Sequence, residues 1–242
     1  MADEEIVMKH TKAAYEALKT RKMNWKHKLK EIMLEIIIIV FAVSISIWFH
    51  NWSERLKDRA EEKKFLASLK KDLQDDKNEM INDRSGFGQV LKGIYYFQMI
   101  GHGLTLDKDS LIKYQWCFFG SAQINPRISR YEALKGSGKL DIVENIELLK
   151  NITDLYEKSF PLITMKNQRF NSLRENFVTP FINDHLLLNI KGEGTNWQEI
   201  LQMAKTRLLL SQENGISDNI KAYSEGIDKI TEIMEQIDKE LE

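Results

Sequence analysis

Glycine and proline are scarce in this chain of 242 residues: Gly86 is the first of 12 glycines and Pro126 the first of 3 prolines. With neither helix breaker before Gly86, the first third reads as helix. The lone cysteine, Cys117, excludes a disulfide within the chain and a multi-cysteine zinc site. No charge surplus exists either. Lys+Arg number 35 against 36 Asp+Glu, a net charge of −1, which excludes the basic excess of a general nucleic-acid binder. Strand signals are few, since FVTPFI contains Pro180 and the LLLNI run at 186–190 is too short to place a sheet.

One long hydrophobic run is present. Ile32–Phe49 reads IMLEIIIIVFAVSISIWF, with Glu35 its only charge. The uncharged part from Ile36 makes about 21 Å of helix, and a span needs roughly 20 predominantly apolar residues. Met33, Leu34 and the aromatic belt from Trp48 to Trp52 supply the remainder at the interfaces. The run is apolar on every face, unlike a core helix of a soluble protein. It lacks a small-residue cleavage site, so it reads as an uncleaved anchor. Seven Lys/Arg lie within twenty residues before it, against five in the twenty from His50. That bias sets the N-terminus in the cytoplasm and the C-terminal portion outside. Residues 1–31 form a basic cytoplasmic tail, 32–52 the transmembrane helix and 53–242 an extramembrane domain. In the tail, Val7, Ala14, Leu18, Trp25 and Leu29 have the spacing of a loosely amphipathic helix, suited either to anionic headgroups or to water. Glu35 is read as snorkelling to the interface or pairing with a partner helix. Ala42 and Ser46 form one small-xxx-small pair.

Beyond the span, Leu66, Leu69, Leu73, Met80, Phe87, Val90, Ile94 and Phe97 recur at helical spacing, with Asp76 and Asp83 as polar interruptions. Gly86 and Gly88 mark a bend or local loosening. At the other end, Ile216, Ile220, Tyr223, Ile227, Ile230, Met234, Ile237 and Leu241 alternate steps of four and three. The last helix is therefore expected to return along the first, with a self-associating zipper as the alternative. Gly101 and Gly103 end the first helix, and a short helix is expected over Asp109–Phe119. Ser129–Glu132 and Thr195–Gln198 read as capping boxes, and Asp141 with Glu144 opens a further helix. Pro161 is expected to kink its helix and Pro180 to end it. The fold class is all-α: a single N-terminal transmembrane helix continuing into a long helix and an extramembrane bundle, with coiled-coil-like first and last helices.

Two blocks carry a resemblance. LEIIIIVFAVSISIWFHNWSER running into KKFLASLKKDLQDD, and RYEALKGSGKLDIVENIELLKNITDLYE, are similar to a family of uncharacterised single-span helical proteins common in Bacteroidota. The matching positions are Glu35, Asn51, Trp52, Ser53, Glu54, Arg55, Leu66, Leu69, Asp72, Leu73 and Asp75, then Tyr131, Leu134, Ser137, Gly138, Leu140, Val143, Asn145 and Leu148. The resemblance implies an inner-membrane anchor with a helical domain outside it, and no assigned activity. The longer basic tail and a span without glycine depart from the family pattern.

No motif carries catalysis. His10, His27, His50, His102 and His185 lack ligand spacing, and no metal or cofactor is expected. Gly136–Lys139 lacks the spacing of a phosphate loop and reads as a helix end. Asp72, Asp75, Asp76 and Glu79 share a helix face, but Lys77 stands where a calcium loop needs Gly; the face reads as solvated. Cys117 reads as a small buried hydrophobe. The sequence thus describes a non-enzymatic membrane-anchored interaction or scaffold protein. Its partners are the lipid bilayer and either another copy or a membrane protein, with no nucleic acid. The alternative is a sensory or regulatory module that relays a periplasmic signal through the span.

Overall fold

The computed structural model describes residues 25–242. The tail residues Val7, Ala14 and Leu18 lie outside the described residues, as do the side chains of 25–27, Trp25 among them, and of Asn214. The chain divides into two compact units, Met1–Asp58 and Arg59–Glu242. The described part of the first is the opening stretch of α1 (Trp25–Gly101). The chain is all-α, and among the described residues extended pairing is confined to one bridge between Leu188 and Gly194.

In the second unit, the inner face of α1 runs Glu62, Leu66, Leu69, Leu73, Asp76, Met80, Asp83, Phe87, Val90, Ile94 and Phe97. Every one is buried except the half-buried Asp83. The steps alternate four and three without a miss, the period of a seam facing other helices. The helix passes unbroken through Gly86 and Gly88, where a bend or local loosening was expected. It ends at Gly101, followed by Gly103 at φ +106°, a conformation that favours glycine.

Helix α2 (Lys108–Tyr114) leads into a 3₁₀ turn at Gln115–Phe118, and α3 is Ser129–Gly136. The helix α4 (Ile146–Asp154), α5 (Phe160–Leu173) and α6 (Thr179–His185) follow as one helical run. Wider π turns at Leu155–Ser159 and Arg174–Val178 separate these three. Each π turn lies just before a proline. There Phe160 N–H reaches back to Leu155 C=O, and Thr179 N–H to Arg174 C=O. Widening the turn accommodates a ring that can neither donate nor fit the regular ladder. Pro180 therefore does not end the helix, which runs on to His185.

Three expected caps are replaced by other arrangements. The residue before α3 is Ile128, with no side-chain cap. Asn145, not Asp141, caps α4, its side chain accepting from Glu147 and Leu148 N–H at 3.1 and 3.0 Å. Before α7 (Trp197–Gln202), Thr195 donates instead to Leu187 C=O and Gln198 accepts from Leu106 N–H. Helix α8 (Ala204–Gln212) then leads to α9 (Ile216–Leu241).

Helix α9 runs antiparallel to α1, as the matched pairs Lys63 with Leu241 C=O, Lys70 with Asp238 and Arg84 with Ser224 establish. It also packs on α4 and α5. A Cβ on Gly226 would lie 2.6 Å from Met80 Cε and 3.1 Å from Ile163 Cδ1, so glycine permits the close crossing.

Candidate functional site

The apolar run of the first unit is a candidate membrane span. None of its most apolar window is buried; Ile37, Phe41 and Trp48 are exposed by 59%, 65% and 63%. For aliphatic side chains on every face of one helix, lipid is the fitting surroundings. Ser46 donates to Ala42 C=O at 2.8 Å, which satisfies the hydroxyl inside its own helix. At the C-terminal end, Trp48 stacks on Trp52 with ring centres 6.3 Å apart, and Phe49 meets Trp52 edge-on at 5.4 Å. This aromatic collar has the chemistry of a membrane interface. Glu35 is exposed in the run.

The stripe residues of the second unit do not form a free surface. Leu66, Leu69, Leu73, Tyr223, Ile230 and Ile237 are wholly buried, Ile227 is buried, and Ile220 and Met234 pack partly buried against the same core. α1 and α9 bury their stripes within one chain, so a zipper between copies has no such face left.

Three sets of paired polar groups stand out in and around that core. Asp76, on the inner face of α1, accepts from Arg127 N–H at 3.1 Å and from its guanidinium at 2.7 Å. Beside it, Arg130 Nε donates to Asp72 at 2.6 Å. Burial pushes the Asp76 carboxyl up, opposed by the bonds from Arg127. The acidic face expected to be solvated is therefore a docking face for two arginines, Arg127 just before α3 and Arg130 in its first turn. Tyr131 stacks flat on Tyr156 at 4.5 Å and donates to Glu157 at 2.6 Å.

Farther along, Asn167 Nδ2 donates to Tyr223 Oη at 2.8 Å and Asn219 Nδ2 to Asn167 Oδ1 at 3.2 Å, while Tyr223 donates to Asp83 at 3.4 Å. Burial raises both Asp83 and Tyr223 above their ordinary values.

The third pair is the most enclosed. Arg174, in the second π turn, meets Glu213 at 2.9 Å with both side chains buried. Arg174 Nη1 also donates to Gly120 C=O at 3.3 Å, and its guanidinium lies 4.0 Å from the Phe170 ring centre. Cys117 is buried nearby; burial pushes its thiol up to about 12, against the pull of Arg174. A thiol held protonated is a poor nucleophile.

At the surface of the second unit, α2, the 186–196 hairpin and α7 enclose a groove of about 680 Å³, lined by Leu111, Ile112, Phe119, Leu188, Trp197 and Gln198 among others. Gly194 presses so closely on the Trp197 indole that a Cβ there would also lie 2.8 Å from Leu186 Cδ1. Ile112, Phe119 and Leu188 of this lining are exposed, as are the apolar side chains next to lining residues in the chain, Trp116, Leu187 and Ile190.

Sequence reading missed the Arg174–Glu213 pair and the hairpin. It also took Asp76 as solvated, although Asp76 and the half-buried Asp83 both keep the four-three step of the apolar stripe, the signal that could have placed them inward. No protein-family model, curated protein or solved structure matches the chain.

Proposed function

We propose that the chain is a single-pass protein of the bacterial inner membrane, its N-terminus cytoplasmic and its C-terminal unit periplasmic. It acts as an interaction or scaffold protein rather than an enzyme. The observation that carries this is the Ile32–Phe49 run, apolar and exposed on every face, with an aromatic collar at one end. The seven-to-five bias in flanking Lys/Arg supports the orientation. Within the second unit the long stripes are already occupied, so binding falls to the exposed apolar surface around α2 and the hairpin. The Asp72–Arg130 contact joins the two blocks of the family resemblance and supports the same reading of the extramembrane domain.

The test is purification of the full chain from native membranes in mild detergent, followed by native mass measurement. A stoichiometric companion, either a second copy or another protein, is expected. A lone monomer from every detergent contradicts the reading.

A further inference from the structure

The hairpin that walls the groove has an edge with no partner. Leu187 C=O accepts from Thr195 N–H at 2.8 Å, and Asn189 N–H donates to Glu193 C=O at 2.9 Å. These bonds turn inward, toward the second arm. Leu188 lies between them opposite Gly194, so by the alternation of an antiparallel pair its N–H and C=O point outward. Among the described residues, Leu186 C=O, Leu188 N–H, Leu188 C=O and Ile190 N–H make no hydrogen bond. Four groups thus run acceptor, donor, acceptor, donor along one edge.

The edge is held ready rather than left slack. Asn189 Oδ1 accepts from both Lys191 and Glu193 N–H at 2.9 Å, and Gly192 turns the tip at φ +76°. Asn196 Oδ1 accepts from Leu187 N–H at 2.8 Å and its amide donates to His185 C=O at 2.9 Å, fixing the base. Folded proteins usually protect such edges with Lys, Pro or a bulge. The run Leu186-Leu187-Leu188-Asn189-Ile190 has no charge and no proline, and Leu187 and Ile190 are exposed by 62% and 107%.

We propose that this edge pairs with the same edge of a second copy, antiparallel about a two-fold axis through Leu188. In that register the two Leu188 residues exchange both N–H···O=C bonds. Each Ile190 N–H then meets the partner copy's Leu186 carbonyl. All four open groups on each copy are satisfied by their own counterparts, and the two exposed aliphatic tips cover one another. The pattern is self-complementary, which is what a closed two-fold interface requires. An apolar small molecule or a lipid surface would cover the side chains but leave the donors and acceptors unmet.

This rests on the reading of an interaction protein and specifies its partner. The experiment uses the full chain in native membranes and in detergent. Leu188→Cys, treated with a short bismaleimide, is expected to give a cross-linked dimer; Cys117 is buried and does not interfere. Ile146→Cys, at an exposed site on α4, is expected to stay monomeric. Leu188→Pro removes the open N–H together with a leucine side chain that is 62% exposed at the groove, and Ile190→Lys places a charge on a fully exposed edge side chain. Each is expected to weaken dimerisation at least about tenfold, the loss of roughly 1.4 kcal/mol, with helical circular dichroism unchanged. No cross-link at Leu188→Cys, or a dimer indifferent to both edge variants, overturns the pairing. A monomer carrying a different stoichiometric protein also overturns it, while leaving the interaction reading in place.

Discussion

Arg174 and Glu213 form an ion pair in which the side chains are 2% and 1% exposed, joined at 2.9 Å, while Arg174 Nε and Glu213 Oε1 have no partner among the described residues. Two charges have been taken from water and incompletely bonded, so this pair fixes a geometry more than it contributes net stability. It ties the second π turn to the 3₁₀ turn that opens α9. Arg174→Met or Glu213→Leu alone leaves a buried charge unmatched and is expected to cost about 3–5 kcal/mol. The double variant is expected to be neutral or more stable. A double-mutant cycle on the full chain in detergent, followed by urea unfolding, measures the difference.

The Asp76–Arg127 contact is asymmetric, since the Asp76 side chain is 2% exposed and that of Arg127 43%. Removing the arginine strands a buried carboxylate, whereas removing the carboxylate frees an arginine to turn to water. Arg127→Ala is therefore expected to cost about 1–3 kcal/mol, and Asp76→Asn less, because the amide keeps an acceptor for Arg127 N–H. Equal costs in urea unfolding would contradict this asymmetry.

Two glycines differ in what crowds them. At Gly226 the nearest obstacle is the flexible end of Met80; at Gly194 it is the Trp197 ring. Gly226→Ala is expected to fall near the lower end of the roughly 1–3 kcal/mol cost of overpacking, and Gly194→Ala near or above its upper end. The Gly194 variant should also shift Trp197 fluorescence, and the Gly226 variant should not.

Asp83 gives a pH dependence with a definite sign. Burial, aided by Glu79, raises its carboxyl above the ordinary value of 3.8. The folded state thus holds the proton more tightly than the unfolded one. The stability this adds is fully present below the ordinary value and is lost as pH rises through the folded one. Asp83→Asn retains an acceptor for the Tyr223 hydroxyl without the charge. Relative to the parent, its melting temperature is expected to rise as the buffer moves from acid to neutral pH. A constant difference across that range would assign the pKa shift to another group.

Much of this architecture was legible because helices announce themselves by period. The four-three step placed α9 against α1 and identified Leu66, Leu73, Ile230 and Ile237 as buried. The same step held Asp76 and Asp83, yet Asp76 was read as solvated; a charged residue in register with a core stripe signals a buried partner. Its identity, Arg127 for one and Tyr223 for the other, comes from loops and helices far along the chain and has no local signature. Pro180 was misread for a related reason: its incompatibility with the regular ladder is local, but a π turn upstream resolves it without ending the helix. The hairpin was hidden because LLLNI is short, its pairing is a single bridge, and the rest of its order comes from the Asn189 and Asn196 side chains.

The most direct test of the account concerns the span. A reporter active only in the periplasm, fused after Glu242, is expected to be active in cells, with the chain retained in the membrane fraction after alkaline extraction. A stably expressed but silent fusion, or a chain released by alkali, would contradict the anchored, N-terminus-inside arrangement on which the proposed function depends.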